Sequence, residues 1–280
     1  MKVLTTSISK PPKIVIYGDH GIGKSTFAAS CPAPLFLRTE DRHDHLGVQA
    51  SPVLKNFQEF REAMLWLCSE NRGFRTIVID SIDWLQDLIY QQVCSDCGVK
   101  DIGDKKTLGF GRGYQLAERI WVEDILAPLT ALNERQKIMP ILISHFSIEY
   151  LTDPEGNDYR SYDLDLQNRA KGRVHEWADI VGFMEPRINI LAREGSENVI
   201  SKPTGKVVLH LGKHTRFNVK QSYDLPAQID VPKQNGWAAL AEALKNSTAK
   251  KSVTTPLVNL SLVEAPRGPG EMETAQKKNN

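Results

Sequence analysis

Short apolar runs alternate with stretches of helical spacing through the first half of the chain. Lys13 to Tyr17 is nearly all apolar and predicts a buried strand. Residues 24–30 predict a helix that stops near Pro32. "PLFLRTE", residues 34–40, predicts a second strand. In "FQEFREAMLWLCSENRG", Phe57, Phe60, Met64, Leu67 and Cys68 recur at helical spacing, and Gly73 terminates the segment. "TIVID" predicts a third strand, Thr76 to Ile79, with Asp80 at its carboxyl end. "RIWVEDILAPLTALNER" predicts a helix bent at Pro128. "MPILISHF" predicts a fourth strand. Strands alternating with helices at these lengths imply right-handed crossovers and a mostly parallel central sheet flanked by helices, the α/β class.

After Phe146 the pattern changes. "EYLTDPEGNDYRSYDLD" carries a turn at residues 153–156 between two polar, tyrosine-rich arms, which predicts a hairpin or mobile loop. "ADIVGFM", "INILARE" and "GKVVLHLG" predict late strands that extend the sheet. "NGWAALAEALKNS" predicts a last amphipathic helix. The organisation expected is an arm over 1–12, one core over 13–247 and a disordered tail over 248–280, rich in Lys, Pro, Ser, Thr and Asn.

Composition narrows the function classes. The chain has 280 residues, a formal net charge of +1 and four cysteines. So small a charge supplies no global field toward nucleic acid or membrane, and any such site is a local patch. The cysteines are too few for a disulfide scaffold. The first residues form no signal peptide, and no run reaches the ~18 apolar residues of a membrane span. A cytoplasmic location follows as the expectation, with no membrane partner.

Gly18-Asp19-His20-Gly21-Ile22-Gly23-Lys24-Ser25 fits the spacing of a phosphate-binding loop between a strand and a helix. Glycines allow a tight turn whose backbone N–H groups face phosphate oxygens. Lys24 would reach the β and γ phosphates, the Ser25 hydroxyl would ligate Mg²⁺, and Thr26 follows in the same cradle. Asp80, ending an apolar strand, suits the second metal-binding position. The residue after it is Ser81, so a group that positions water must come from elsewhere. Glu40, closing the second strand, is the first choice, and Asp83 is the next. His145, at the end of the fourth strand, stands where a polar side chain would sense the γ-phosphate.

The set of motifs resembles the RecA-like recombinase core, a P-loop NTPase fold. In that family the third strand ends Asp-Ser, and the catalytic glutamate follows a strand in the form shown here by Phe36-Leu37-Arg38-Thr39-Glu40. More closely, the chain resembles the short phage AAA-domain nucleotide-binding proteins linked to single-strand annealing. The stretches that carry this are the phosphate loop, "FLRTE", "IVIDSIDWL", "GFGRGY", "LISH", "RVHEWADIVGFM" and "VKQSYDLP".

The resemblance implies ATP and Mg²⁺ as cofactors, single-stranded DNA as partner, and assembly into a ring or filament, with a single-strand-binding protein as a further partner. It places two DNA-facing loops after the third and fourth strands. The first holds Lys105, Lys106, Phe110, Arg112 and Tyr114. The second holds Tyr159, Arg160, Tyr162, Arg169, Lys171 and Arg173 among the acidic residues Asp153, Glu155, Asp158, Asp163 and Asp165. Cations that track phosphates, interleaved with rings that stack on bases, suit a single strand. Lys213, Arg216 and Lys220 are the choices for a cation acting across a subunit boundary. With no separate DNA-binding domain in the sequence, a helper or annealing role is expected rather than full strand exchange. Two other classes fit a phosphate loop: a nucleotide-dependent switch or loader acting on a protein, and a small-molecule kinase, which would need a lid with paired arginines. Cys94 and Cys97 form a lone C-x-x-C without the second pair that a zinc ribbon requires.

Overall fold

The apolar run at the start forms strand β1, Ile14–Gly18, buried at every position. Strands on both sides satisfy its backbone: β5, Met139–Ser144, and β8, Ile180–Ala192, each pair with it in parallel. A computed structural model describes residues 10–41, 46–152, 156, 158–192 and 199–253. Its other strands are β2 (Pro34–Arg38), β3 (Gln49–Ala50), β4 (Thr76–Asp80), β6 (Phe146–Thr152), β7 (Asp158–Leu164), β9 (Val199–His210), β10 (Lys220–Gln221) and β11 (Gln228–Val231). Among the described residues nine strands form one sheet in the order β11-β9-β8-β1-β5-β4-β2-β3, with β10 also paired to β8. From β8 to β3 the neighbours are parallel, and β9, β10 and β11 join antiparallel. The expected α/β architecture with a mostly parallel sheet holds.

Alternation along the strands divides the core into two layers. Val15, Tyr17, Leu37, Ile77, Ile79 and Leu142 face one side, where helices α2 (Phe57–Ser69), α3 (Ile82–Cys97), α4 (Arg112–Ile120), α5 (Ala127–Gln136) and α6 (Asn168–Trp177) pack. Ile14, Ile16, Phe36, Val78, Ile141 and Ile143 face the other side, covered by α1 (Lys24–Ala29) and α7 (Gly236–Val253). By the same alternation Asp80, the last residue of β4, falls on the α1 side, and His145 follows the last residue of β5. Helix α2 starts where Asn56 Oδ1 accepts the Glu59 backbone N–H at 2.9 Å, a cap worth about 1 kcal/mol.

Several elements differ from expectation. The segment around Pro128 is not a simple bend. Helix α4 begins at Arg112, earlier than expected, and runs through a π-helical stretch, Trp121–Leu126, into α5. Proline offers no N–H, and its ring crowds the carbonyl four residues back, so the wider turn falls just before it. "ADIVGFM" and "INILARE" are one strand, β8, whose register with β9 shifts between Pro186 and Ile188. Glu40 lies two residues beyond the end of β2. Helix α7 continues to Val253, past the expected end of the core, while residues 1–9 of the arm and 254–280 of the tail lie outside the described residues. The arm is anchored at its near end. Lys10 Nζ meets Glu134 at 2.9 Å, and Pro11 O accepts from Asn133 Nδ2.

Candidate functional site

The turn from β1 into α1 depends on backbone that other residues rarely adopt. Gly18, Gly21 and Gly23 have φ of 154°, 72° and 107°. A Cβ on Gly18 would stand 2.4 Å from the Met184 carbonyl oxygen of β8, so this loop closes against its neighbour strand only with glycine there. Lys24 is buried, and its ammonium donates to Gly18 O at 2.9 Å and Asp19 O at 2.8 Å. Burial pushes the ammonium below the usual lysine range, and the carboxylates of Asp80, Asp83, Asp19 and Glu40 act against that shift.

Ser25, the next residue, donates its hydroxyl to Asp80 Oδ2 at 2.5 Å. A hydroxyl and a carboxylate oxygen held together at the mouth of a phosphate loop are the hard oxygen donors that Mg²⁺ takes, so this pair fits the ion. Thr39 braces the strand end from the side. It accepts from the Ser81 backbone N–H at 2.7 Å and donates to Ser81 O at 2.8 Å. Glu40 follows it, buried at 8% exposure. Ser25 and Asp80 are thus in contact beside the buried Lys24, and Thr39, the residue before Glu40, is bonded to Ser81, the residue after Asp80.

His145 and His20 complete the rim. The two rings stack with centroids 3.8 Å apart. Asp83, in the first turn of α3, lies 2.7 Å from His145 Nδ1 and accepts the His145 backbone N–H at 3.1 Å. Burial raises the Asp83 carboxyl, but the hydrogen bonds from His145 outweigh it and hold the group below the ordinary aspartate value. A cavity of about 390 Å³ opens beside the loop, lined by Ile22, Gly23, Thr26, Phe27, Val207 and Pro232. A mostly apolar hollow next to a phosphate cradle suits the flat face of a nucleobase.

Residues 10–223 match the family described as "AAA domain". The chain belongs to this AAA-domain family. The match spans the loop, Glu40, Asp80 and His145, so the nucleotide-binding character of the site rests on the family as well as on geometry. No curated protein matches the sequence. Among solved structures, the crystal structure of the RadB recombinase aligns over 81% of this chain and 90% of that one, with 12% identity and a TM-score of 0.43.

In this AAA domain the residues expected on two DNA-facing loops are divided between loops, a hairpin and helices. Lys105 and Lys106 are exposed in the segment between α3 and α4. Phe110 is fully exposed, with φ 57°, in a single 3₁₀ turn at Gly109–Gly111. Arg112 and Tyr114 are not loop residues: they open α4, where Tyr114 is half-buried edge-on against Tyr90. The second expected loop is a hairpin followed by a helix. Strands β6 and β7 pair from Phe146↔Leu164 to Thr152↔Asp158. Asp153 and Glu155, in its turn, lie outside the described residues. Tyr159 and Arg160 are exposed on this hairpin, and the Arg160 guanidinium sits over the Tyr150 ring. Tyr162 points inward, packed against Phe146, Phe183 and Phe217.

Arg169, Lys171 and Arg173 belong to α6, and each meets an acid. Arg169 and Arg173 reach Glu118 at 3.3 and 2.8 Å, and Lys171 pairs with Glu149 while largely buried. The polar run "LQNRAKGRVHEW" resembles a loop by composition, yet Ala170 and Val174 bury one face and make it a helix. Among the expected trans-acting cations, Lys220 caps α6 through His175 O and Glu176 O, and Arg216 lies 3.8 Å from Glu185. Lys213 is exposed. Cys94 and Cys97 are free thiols in the last turn of α3, and burial raises the Cys94 thiol.

Sequence reasoning missed two relationships. Helix α3 itself, with Asp83 on its first turn, was hidden behind the strand signal of "TIVIDSIDWL". Tyr17, inside an apolar run, donates its hydroxyl to Tyr162 O at 3.0 Å, with Asn218 O at 3.2 Å. It therefore ties the strand before the phosphate loop to β7 of the hairpin.

Proposed function

We propose that this chain is a Mg²⁺-dependent ATPase that binds single-stranded DNA and assists recombination, annealing or replication of the phage type. The observation that carries the ATPase part is the Ser25–Asp80 pair beside the buried Lys24. When bound, Mg²⁺ would be held by the Ser25 and Asp80 oxygens and would supply neutralisation of phosphate charge. Lys24 binds the same phosphates. Glu40 orients the attacking water, and His145 faces the terminal phosphate. Thr26 and Phe27 border the hollow that takes the base.

Single-strand binding is supported by the exposed Phe110 beside Lys105 and Lys106, and by Tyr150, Tyr159 and Arg160 on the hairpin, since rings and cations in alternation hold bases and phosphates. His145 is followed directly by Phe146, the first residue of the hairpin, so nucleotide state and DNA grip share one backbone segment. The kinase reading gains no support from paired arginines at the described rim. The protein-switch reading is favoured by one observation: Arg169, Lys171 and Arg173 are spent on Glu118 and Glu149 rather than presented to phosphate.

ATP turnover measured with and without single-stranded DNA, and DNA binding titrated at two salt concentrations with and without a non-hydrolysable ATP analogue, separate these readings. Turnover raised by single strands, and affinity that falls with salt as counterions are released, support the DNA reading. Turnover and affinity indifferent to the partner ligand leave the protein switch.

A further inference from the structure

We propose that Asp83 is a positioning residue for His145: it fixes the imidazole so that Nε2 is the ring atom offered to the terminal phosphate or to the water in line with it. The inference rests on the ATPase reading above. Asp83 spends both carboxylate oxygens on one residue, Oδ2 on the ring at 2.7 Å and Oδ1 on the backbone N–H at 3.1 Å. Two contacts to separate parts of His145 fix the ring's angle to its own backbone, which a single contact would not do. Both groups are nearly buried, with side-chain exposures of 11% and 12%, so water competes weakly for either bond. An ionised carboxylate accepts hydrogen bonds only, and its partner Nδ1 therefore carries the proton. Nε2 is left for the nucleotide side.

The same geometry favours an orienting role for Asp83 over that of water-activating base. A base needs an oxygen directed at water, and both oxygens of Asp83 are directed at His145. The P-loop contributes a further contact, because the His20 ring stacks on the His145 ring with centroids 3.8 Å apart. A carboxylate at one edge and a stacked ring on one face define the imidazole's orientation. An orienting carboxylate of this kind governs which nitrogen carries the proton, and its amide isostere reverses the preference.

Asp83→Asn keeps shape and removes the acceptor-only character. It is expected to lower turnover at least ~10-fold while leaving the affinity for a fluorescent ATP analogue within about 2-fold of wild type, within the range expected where a mutation leaves binding contacts untouched. Nitrogen-15 NMR of histidine-labelled protein, with His145 assigned by its loss in His145→Gln, should report protonated Nδ1 in wild type and protonated Nε2 in Asp83→Asn. If Asp83 acts through His145, adding Asp83→Asn to His145→Gln costs no more than about 2-fold further. A fully additive loss, or an unchanged tautomer in Asp83→Asn, overturns the proposal. The imidazole signals need no turnover, so a wild-type protein that binds ATP without hydrolysing it would refute the ATPase reading and still leave the tautomer test decisive for Asp83.

Discussion

The Ser25 hydroxyl donates to Asp80 Oδ2 at 2.5 Å although 55 residues separate the two in the chain. Strand β4 places Asp80 on the face that α1 covers, and Ser25 is the second residue of α1. Asp80→Asn retains the shape and removes the charge that Mg²⁺ needs. The Mg²⁺ concentration for half-maximal turnover is expected to rise at least ~10-fold, read from a metal titration at saturating ATP. An unchanged titration would move the metal site elsewhere.

Lys24→Ala should lose most hydrolysis with the far-UV spectrum intact. The ammonium is held by two loop carbonyls and by the attraction of four carboxylates rather than by a core contact. A folded variant with wild-type turnover would remove the lysine from the phosphate site.

Glu40→Gln is expected to bind ATP and Mg²⁺ normally and to turn over about 10²-fold more slowly, the scale for a lost base. Nucleotide affinity by fluorescence and phosphate release are the two readouts. Lost binding, or unaltered turnover, would show that the water is positioned by another group.

Phe110 and Tyr114 should behave differently, because only Phe110 is free of the core. Phe110→Ala is expected to weaken single-strand binding by about 1–3 kcal/mol with no change in thermal midpoint. Tyr114→Ala strips the edge-on contact to Tyr90, and should lower the midpoint as well. Filter binding and calorimetry distinguish them. Equal effects of the two on affinity alone would mean that the α4 end opens to reach DNA.

Asp163 ties the hairpin base to α6 and to the loop before β10. It lies 2.7 Å from His175 Nε2 and accepts from Asn218 Nδ2 at 2.7 Å. Burial raises its carboxyl, and the bonds and charge of His175, with Asn218, bring it below the ordinary 3.8. A lowered folded-state value means that the ionised form stabilises the fold above pH 3.8, and that this contribution is lost as pH falls through the folded value. Asp163→Asn should therefore be less stable than wild type near neutrality, with the gap closing in acid. Urea unfolding across that range measures it, and a gap that widens in acid would contradict the assignment.

The strands with the strongest signal were legible because both faces of a central parallel strand are buried: Ile14–Gly18, Thr76–Asp80 and Met139–Ser144 each carry an apolar run through their middle. The phosphate loop was legible because glycine spacing is itself the backbone requirement. The same composition rules failed at α6. There only Ala170, Val174 and the stem of Lys171 are buried, and a polar helix that buries so narrow a stripe looks like a loop. They failed at Pro128 because a proline signals irregularity without saying on which side the backbone gives way.

Local sequence thus determined which segments become strands and which turn is able to cradle phosphate, since both follow from side-chain period and from the steric freedom of glycine. The tertiary structure decided which side chains meet. The order β1-β5-β4-β2 brings Lys24, His145, Asp80 and Glu40 to one edge from four separate stretches. The docking of α3 turns Asp83 onto His145, and the docking of α6 consumes Arg169, Lys171 and Arg173 in ion pairs. Charge and aromatic character are properties of a residue, but a free cation or a committed one is a property of its neighbours, and neighbours distant in the chain are chosen by how helices pack on the sheet.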